Sequence, residues 1–133
     1  MKRAAWVLGL FMLAPLAGCS DFDRIDFQYS ADLPLDIRLS YEEIWLPTGV
    51  AVTTVARPMA GDSLMARDTL VELASANPGV LGVSFALPNE LGVSNENADW
   101  TFVLYAVSAG STRVTVRVDG ELKGEIPATI LPQ

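Results

Sequence analysis

The chain of 133 residues has no histidine and a single cysteine, and its nine Lys and Arg residues face 16 Asp and Glu. Without histidine, imidazole-based zinc sites and Ser-His or Cys-His catalytic pairs cannot be assembled. One cysteine cannot make an intrachain disulfide framework. A formal net charge of −7 argues against nucleic acid as a partner, because its phosphates would repel such a surface. This inventory leads us to expect no metal and no cofactor, and leaves carboxylates as the only catalytic groups. A chain of this length makes one domain rather than two.

The N-terminus carries a recognisable pattern. Met1-Lys2-Arg3 forms a short positive region, an apolar run extends from Ala4 to Leu16, and the small residues Ala17 and Gly18 precede Cys19. The apolar run is shorter than the roughly 20 residues a membrane-spanning helix needs, and it ends in Pro15 and small residues. The tetrapeptide Leu16-Ala17-Gly18-Cys19 resembles the lipobox of bacterial lipoproteins. That resemblance implies a signal peptide over residues 1–18, a diacylglycerol on the Cys19 thiol, and acylation of the new amino group. Cys19 is then an anchor to a membrane rather than a nucleophile, since two or three acyl chains hold a protein stably without a spanning helix. In that family an Asp directly after the Cys retains the protein at the inner membrane. Ser20 stands there in this chain, so the resemblance leans towards the outer membrane, facing the periplasm or the cell surface. Removing residues 1–18 leaves 115 residues, with seven basic against 16 acidic.

Residues 19–36 read as a lipidated N-terminus and acidic tether, with Asp21, Asp23, Asp26, Asp32 and Asp36 against Arg24 alone and Pro34 interrupting regular structure. Fully extended, such a tether spans roughly 55 to 60 Å. A first strand near Ile25–Tyr29 is the one element expected within it. Calcium binding by the acidic cluster has the right ligand chemistry but no EF-hand spacing, so a solvated tether is the simpler reading.

From residue 37 to 133 the pattern is β. Thr112, Val114, Val116 and Val118 alternate with Ser111, Arg113, Thr115 and Arg117, which predicts one buried and one wet face. Thr101–Val107 is apolar at both parities, as in a strand covered on both sides. Further strands are expected at 37–40, 43–46, 50–56, 69–75, 81–87 and around 126–130. Turn chemistry separates them at Pro47-Thr48-Gly49, Ala60-Gly61-Asp62, Asn77-Pro78-Gly79, Ala109-Gly110 and Asp119-Gly120. A helical turn is conceivable only within Asp62–Arg67. Seven or eight short strands with such punctuation predict an all-β antiparallel sandwich, with a small barrel as the alternative.

Two blocks carry a second resemblance. Ser75–Ser84 (SANPGVLGVS) is similar to the "SSNPSVATVS" segment of group 2 bacterial immunoglobulin-like domains, and Ala106–Val116 (AVSAGSTRVTV) to their "AVSAGTATITV" segment. The resemblance implies an immunoglobulin-like sandwich in an extracytoplasmic setting, in a family that serves as adhesive, spacer or assembly modules. Val71 and Leu73 stand where the family has a Trp, and Pro88–Asp99 is longer than its usual connection.

Several side chains are candidates for binding. Trp100, beside Asn95, Asn97 and Asp99, is open to two readings, core packing or stacking on a glycan or small ligand. Trp45, between Ile44 and Leu46, reads as core or sheet-edge packing. Arg113 and Arg117 share one strand face and could read an anionic partner, or pair across strands with Glu121 or Glu125. Met59 and Met65 could form a soft contact patch or close one end of the sandwich. The carboxylate sets Glu42/Glu43, Asp62/Asp68 and Glu90/Glu96/Asp99 are the only conceivable acid–base groups. Neighbours on a strand point to opposite faces and a small sandwich offers little cleft, so no enzyme activity is expected. The expected function is a lipid-anchored envelope module that engages a protein partner through a sheet face or the 57–68 and 88–99 connections. The alternative is a glycan- or small-ligand-binding lipoprotein.

Overall fold

The computed structural model describes residues 21–29, 36–85 and 100–133. The expected signal peptide, the lipobox with Cys19, and the connection carrying Asn95, Asn97 and Asp99 lie outside the described residues. All regular elements among those described are strands: β1 (Arg24–Gln28), β2 (Arg38–Leu39), β3 (Ile44–Pro47), β4 (Ala51–Ala60), β5 (Ser63–Leu64), β6 (Val71–Ser75), β7 (Leu81–Phe85), β8 (Thr101–Ala106), β9 (Gly110–Val118) and β10 (Glu121–Leu131).

They form two sheets. The first runs β1-β4-β8-β7, with β5 also paired to β4; the second runs β2-β3-β10-β9-β6. All pairings are antiparallel except β3 with β10. The first sheet thus repeats the A-B-E-D order of an immunoglobulin sandwich, and β10-β9-β6 its G-F-C order. The expected all-β immunoglobulin-like sandwich is what the chain forms, with ten strands among the described residues rather than seven or eight.

The inner faces supply one core. Ile25, Phe27, Val52, Ala56, Leu81, Phe102 and Leu104 from the first sheet meet Leu39, Ile44, Leu46, Leu73, Val114, Val116, Ile126 and Ile130 from the second. On β9 the expected alternation holds: Val114, Val116 and Val118 are buried, while Arg113 and Arg117 are exposed. Strand β8 differs from expectation. It is central in its sheet, but its outer face is open, with Tyr105 41% exposed. The apolar residues at that parity are part of the outer surface rather than a second core. Tyr105 lies across from Gly82 on β7, and its ring fills the space a side chain at 82 would take, so Gly82 is buried without a side chain of its own.

Three departures from the sequence reading have physical causes. First, the strand expected near Ile25–Tyr29 forms as β1, but its Ile25 and Phe27 enter the core, so the folded body starts well before residue 37 rather than after a solvated tether. Second, β4 continues through Pro58 to Ala60 rather than ending at 56. The Met59 carbonyl faces β1 and accepts the Asp23 N–H at 2.8 Å. The nitrogen of Pro58 therefore faces the opposite side, where β8 pairing has stopped at Val55 and β5 pairing begins only at Met59. No ladder bond is lost. Third, the conceivable helical turn at Asp62–Arg67 is the return arm of a hairpin: Gly61 takes φ +62, and Ser63–Leu64 pair with Met59–Ala60.

The two ends of the sandwich differ. At one end lie the Gly61 turn and the Asp119-Gly120 hairpin, whose positive φ values of 52 and 85 suit a two-residue turn between β9 and β10. At the other end the Pro47–Gly49 turn, the Asn77–Gly79 turn, Ser108 and Gln133 are tied by hydrogen bonds: Gly49 N–H to Ala106 O at 2.8 Å, Ser108 Oγ to Gly79 O at 2.6 Å and Gln133 Nε2 to Thr48 O at 2.6 Å.

Candidate functional site

Trp100 is a core residue. It is 2% exposed, and its indole Nε1 donates to the Thr69 carbonyl at 2.9 Å, linking the start of β8 to the chain just before β6. Its ring offers no face to a ligand, because a large aromatic at the mouth of an inter-sheet core gains more from burial than from exposure. This removes the side chain on which the glycan reading was centred.

Arg113 and Arg117 lie where the alternation put them, on the outer face of β9. Arg113 pairs with Glu125 on β10 at 3.3 Å, one of the cross-strand partners expected from the sequence. Glu121 pairs instead with Lys123 at 3.0 Å. Arg117 stands in register between Glu72 on β6 and Leu122 on β10. Both arginines are exposed, so the Arg113–Glu125 pair adds little to stability.

Trp45 is half-buried on the outer face of β3, in register between Arg38 of the short edge strand β2 and Thr129 of β10. The Arg38 guanidinium lies 4.4 Å from its ring centroid and is flanked by Asp36 at 3.7 Å and Glu43 at 3.6 Å. One face of this indole is thus covered by a cation of its own chain. Glu43 belongs to that ion pair, and Ser40 Oγ accepts the N–H groups of Glu42 and Glu43 at 3.2 and 3.1 Å. Glu42 and Glu43 therefore form a turn and an edge contact, not an acid–base pair. Met59 is buried and Met65 packs against the core, both at the Gly61 end, which they help to close.

Two concave regions went unread in the sequence. A polar one of about 480 Å³ is lined by Asp21, Phe22, Met65, Val118, Asp119, Glu121 and Lys123, and brings the start of the described chain against the β9–β10 hairpin. An apolar one of about 370 Å³ lies between the β6 and β7 edges, lined by Leu70, Val71, Leu73, Phe85 and Phe102. Phe85 meets Phe102 edge-on at 5.7 Å and stays 54% exposed. Phe85 falls on the strand expected over 81–87, but the sequence could not show that the neighbouring edge stops short of covering it.

Among the described residues, Tyr41 is the group whose proton affinity its surroundings shift clearly. Burial chiefly, and then the nearby Asp23 carboxylate, hold its phenol above the ordinary tyrosine value. Phe22 packs edge-on against it at 5.8 Å, and its hydroxyl covers Gly124. Among the described residues no three carboxylate or cysteine side chains converge in a way that could hold a metal ion.

No known family profile matches the chain, and no curated protein matches it. Solved structures do. Domains 5–6 of the S-layer protein SbsC match with a TM-score of 0.50 at 14% identity, over 84% of this chain and 44% of that one. Its domains 4 and 5 match with a TM-score of 0.45 at 15% identity, over 94% of this chain and 55% of that one. The chain thus spans about half the length of the structures it resembles. At 14% identity the likeness to domains 5–6 is one of fold, and it agrees with the two-sheet topology described above.

Proposed function

We propose that this chain is a lipid-anchored, non-catalytic module of the bacterial cell envelope that presents an immunoglobulin-like sandwich to a protein partner. The observation that carries the reading is the juxtaposition of Leu16-Ala17-Gly18-Cys19 with a folded body that begins within a few residues of it. The distribution of charge supports it. The carboxylates of Glu43 and Glu125 are held in exposed ion pairs with Arg38 and Arg113. A sandwich of this kind also builds domains of the S-layer protein SbsC, which is the company expected of a structural envelope module. The outer-membrane placement follows from Ser20 after the lipidated cysteine.

The test is processing and capture. Cells grown with labelled palmitate should incorporate it into the wild-type chain and not into Cys19→Ser, and only the wild type should reach the membrane pellet in mature form. Crosslinking in intact cells followed by gentle solubilisation should recover a stoichiometric protein partner. Equal incorporation into both forms removes the anchor, and a freely diffusing monomer removes the partner.

A further inference from the structure

The structure fixes which end of the sandwich an anchor at Cys19 would hold down, and how closely. Asp23 donates its N–H to Met59 O at 2.8 Å, and Arg24 donates to the Gly61 carbonyl at 2.8 Å, so the chain joins the body beside the Gly61 turn. Only four residue steps separate Cys19 from Asp23, a reach of about 14 Å at most. The headgroup layer that the acyl chains must cross is itself roughly 5 to 8 Å thick. The body therefore cannot stand clear of the bilayer. The same end carries exposed apolar side chains: Leu64 on β5, 38% exposed, and Leu122 just after the Asp119-Gly120 turn, 53% exposed. Phe22 lies at this end too, in the cavity lined also by Met65, Asp119, Glu121 and Lys123.

We propose that the Gly61 and Asp119-Gly120 hairpin end is a bilayer-contact surface, with Leu64 and Leu122 at the headgroup boundary and the Thr48, Asn77–Gly79 and Ala109 end projecting away. The occupant is a lipid surface because the covalent tether is too short to admit a folded protein between this end and the membrane. Apolar side chains flanked by polar ones suit the interfacial zone. The outward end then lies about 30 Å further off, the length of the nine-residue β9. The connection over 57–68, expected to meet a protein partner, instead lies on the membrane side. This orientation rests on lipidation at Cys19, and its test is arranged to separate the two.

The chain has one cysteine, so in the lipidated protein an introduced cysteine is the sole free thiol. Leu64→Cys, Leu122→Cys and Ala109→Cys forms are labelled with an environment-sensitive dye in phosphatidylethanolamine-rich vesicles containing headgroup spin-labelled lipid. Labels at 64 and 122 should be quenched several-fold more than the label at 109. Equal quenching at the three sites, or quenching at 109 alone, overturns the orientation. In a second arm the soluble form is coupled through Cys19 to a maleimide phospholipid, which supplies the anchor whether or not cells lipidate the protein. Amide exchange over 61–64 and 119–123 should slow on vesicles while that over 77–80 and 107–110 stays as in the uncoupled domain. Unchanged exchange in this arm overturns the orientation by itself. A wild-type chain unlabelled by palmitate in cells, together with slowed exchange here, removes the natural anchor and leaves the geometry standing.

Discussion

Trp100 and Tyr41 show how a side chain's chemistry is decided by its neighbours. Trp100→Phe keeps most of the apolar volume but leaves the Thr69 carbonyl without its indole donor, and should cost about 1 to 3 kcal/mol. Trp100→Ala should cost about 3 to 5 kcal/mol through the cavity it leaves. Urea unfolding followed by circular dichroism checks both. Tyr41 holds its proton more tightly folded than unfolded, first because burial disfavours the phenolate and second because Asp23 repels it. Its stabilising contribution is therefore complete below about pH 10, the unfolded value, and disappears as pH rises through the higher folded value. Thermal melts from pH 8 to 11 should show the wild type losing stability faster than Tyr41→Phe above pH 10. Parallel curves would contradict this.

At the scale of elements, the β9–β10 hairpin combines a left-handed residue with a side-chain tie. Asp119 sits at φ 52, donates its N–H to Leu70 O at 2.8 Å, and accepts the Leu70 N–H on Oδ1 at 2.9 Å. Asp119→Ala loses that acceptor and strains the turn, at about 1 to 2 kcal/mol. Asp119→Asn keeps both features and should fall within about 0.5 kcal/mol of wild type. Chemical denaturation of the pair separates the two effects. This hairpin was legible from Asp-Gly between alternating segments, as were β9, β7 and the Asn77–Gly79 turn, because period and turn chemistry are local. The end of β4 was not legible, because the place of Pro58 in a strand depends on which side of β4 lacks a partner, a fact held in β8 and β5. Strand β1 was legible from the alternation of Ile25 and Phe27 with Arg24, Asp26 and Gln28, but the surrounding aspartates hid that it belongs to the core. The site was less legible than the fold: Trp100 sits beside polar residues in sequence and beside the core in space.

Across the whole molecule, β1 ties the N-terminal segment to the first sheet, so a form beginning at Asp36 should be far less stable than one beginning at Ser20. Losing the burial of Ile25 and Phe27 alone is worth about 3 to 6 kcal/mol. Differential scanning calorimetry of the two forms should show the shorter one melting well below the longer, or failing to fold. Equal melting would return residues 20–36 to the role of a spacer.

The direction in which β1 and β10 leave the body has a mechanical consequence. Strand β1 enters at the Gly61 end and β10 finishes at the Thr48 end, each running along the long axis of its sheet. Tension applied between Asp21 and Gln133 would drag β1 lengthwise along β4 and β10 lengthwise along β3 and β9. The rungs of each ladder would share the force and rupture together rather than peel one at a time, the geometry in which a sandwich resists stretching best.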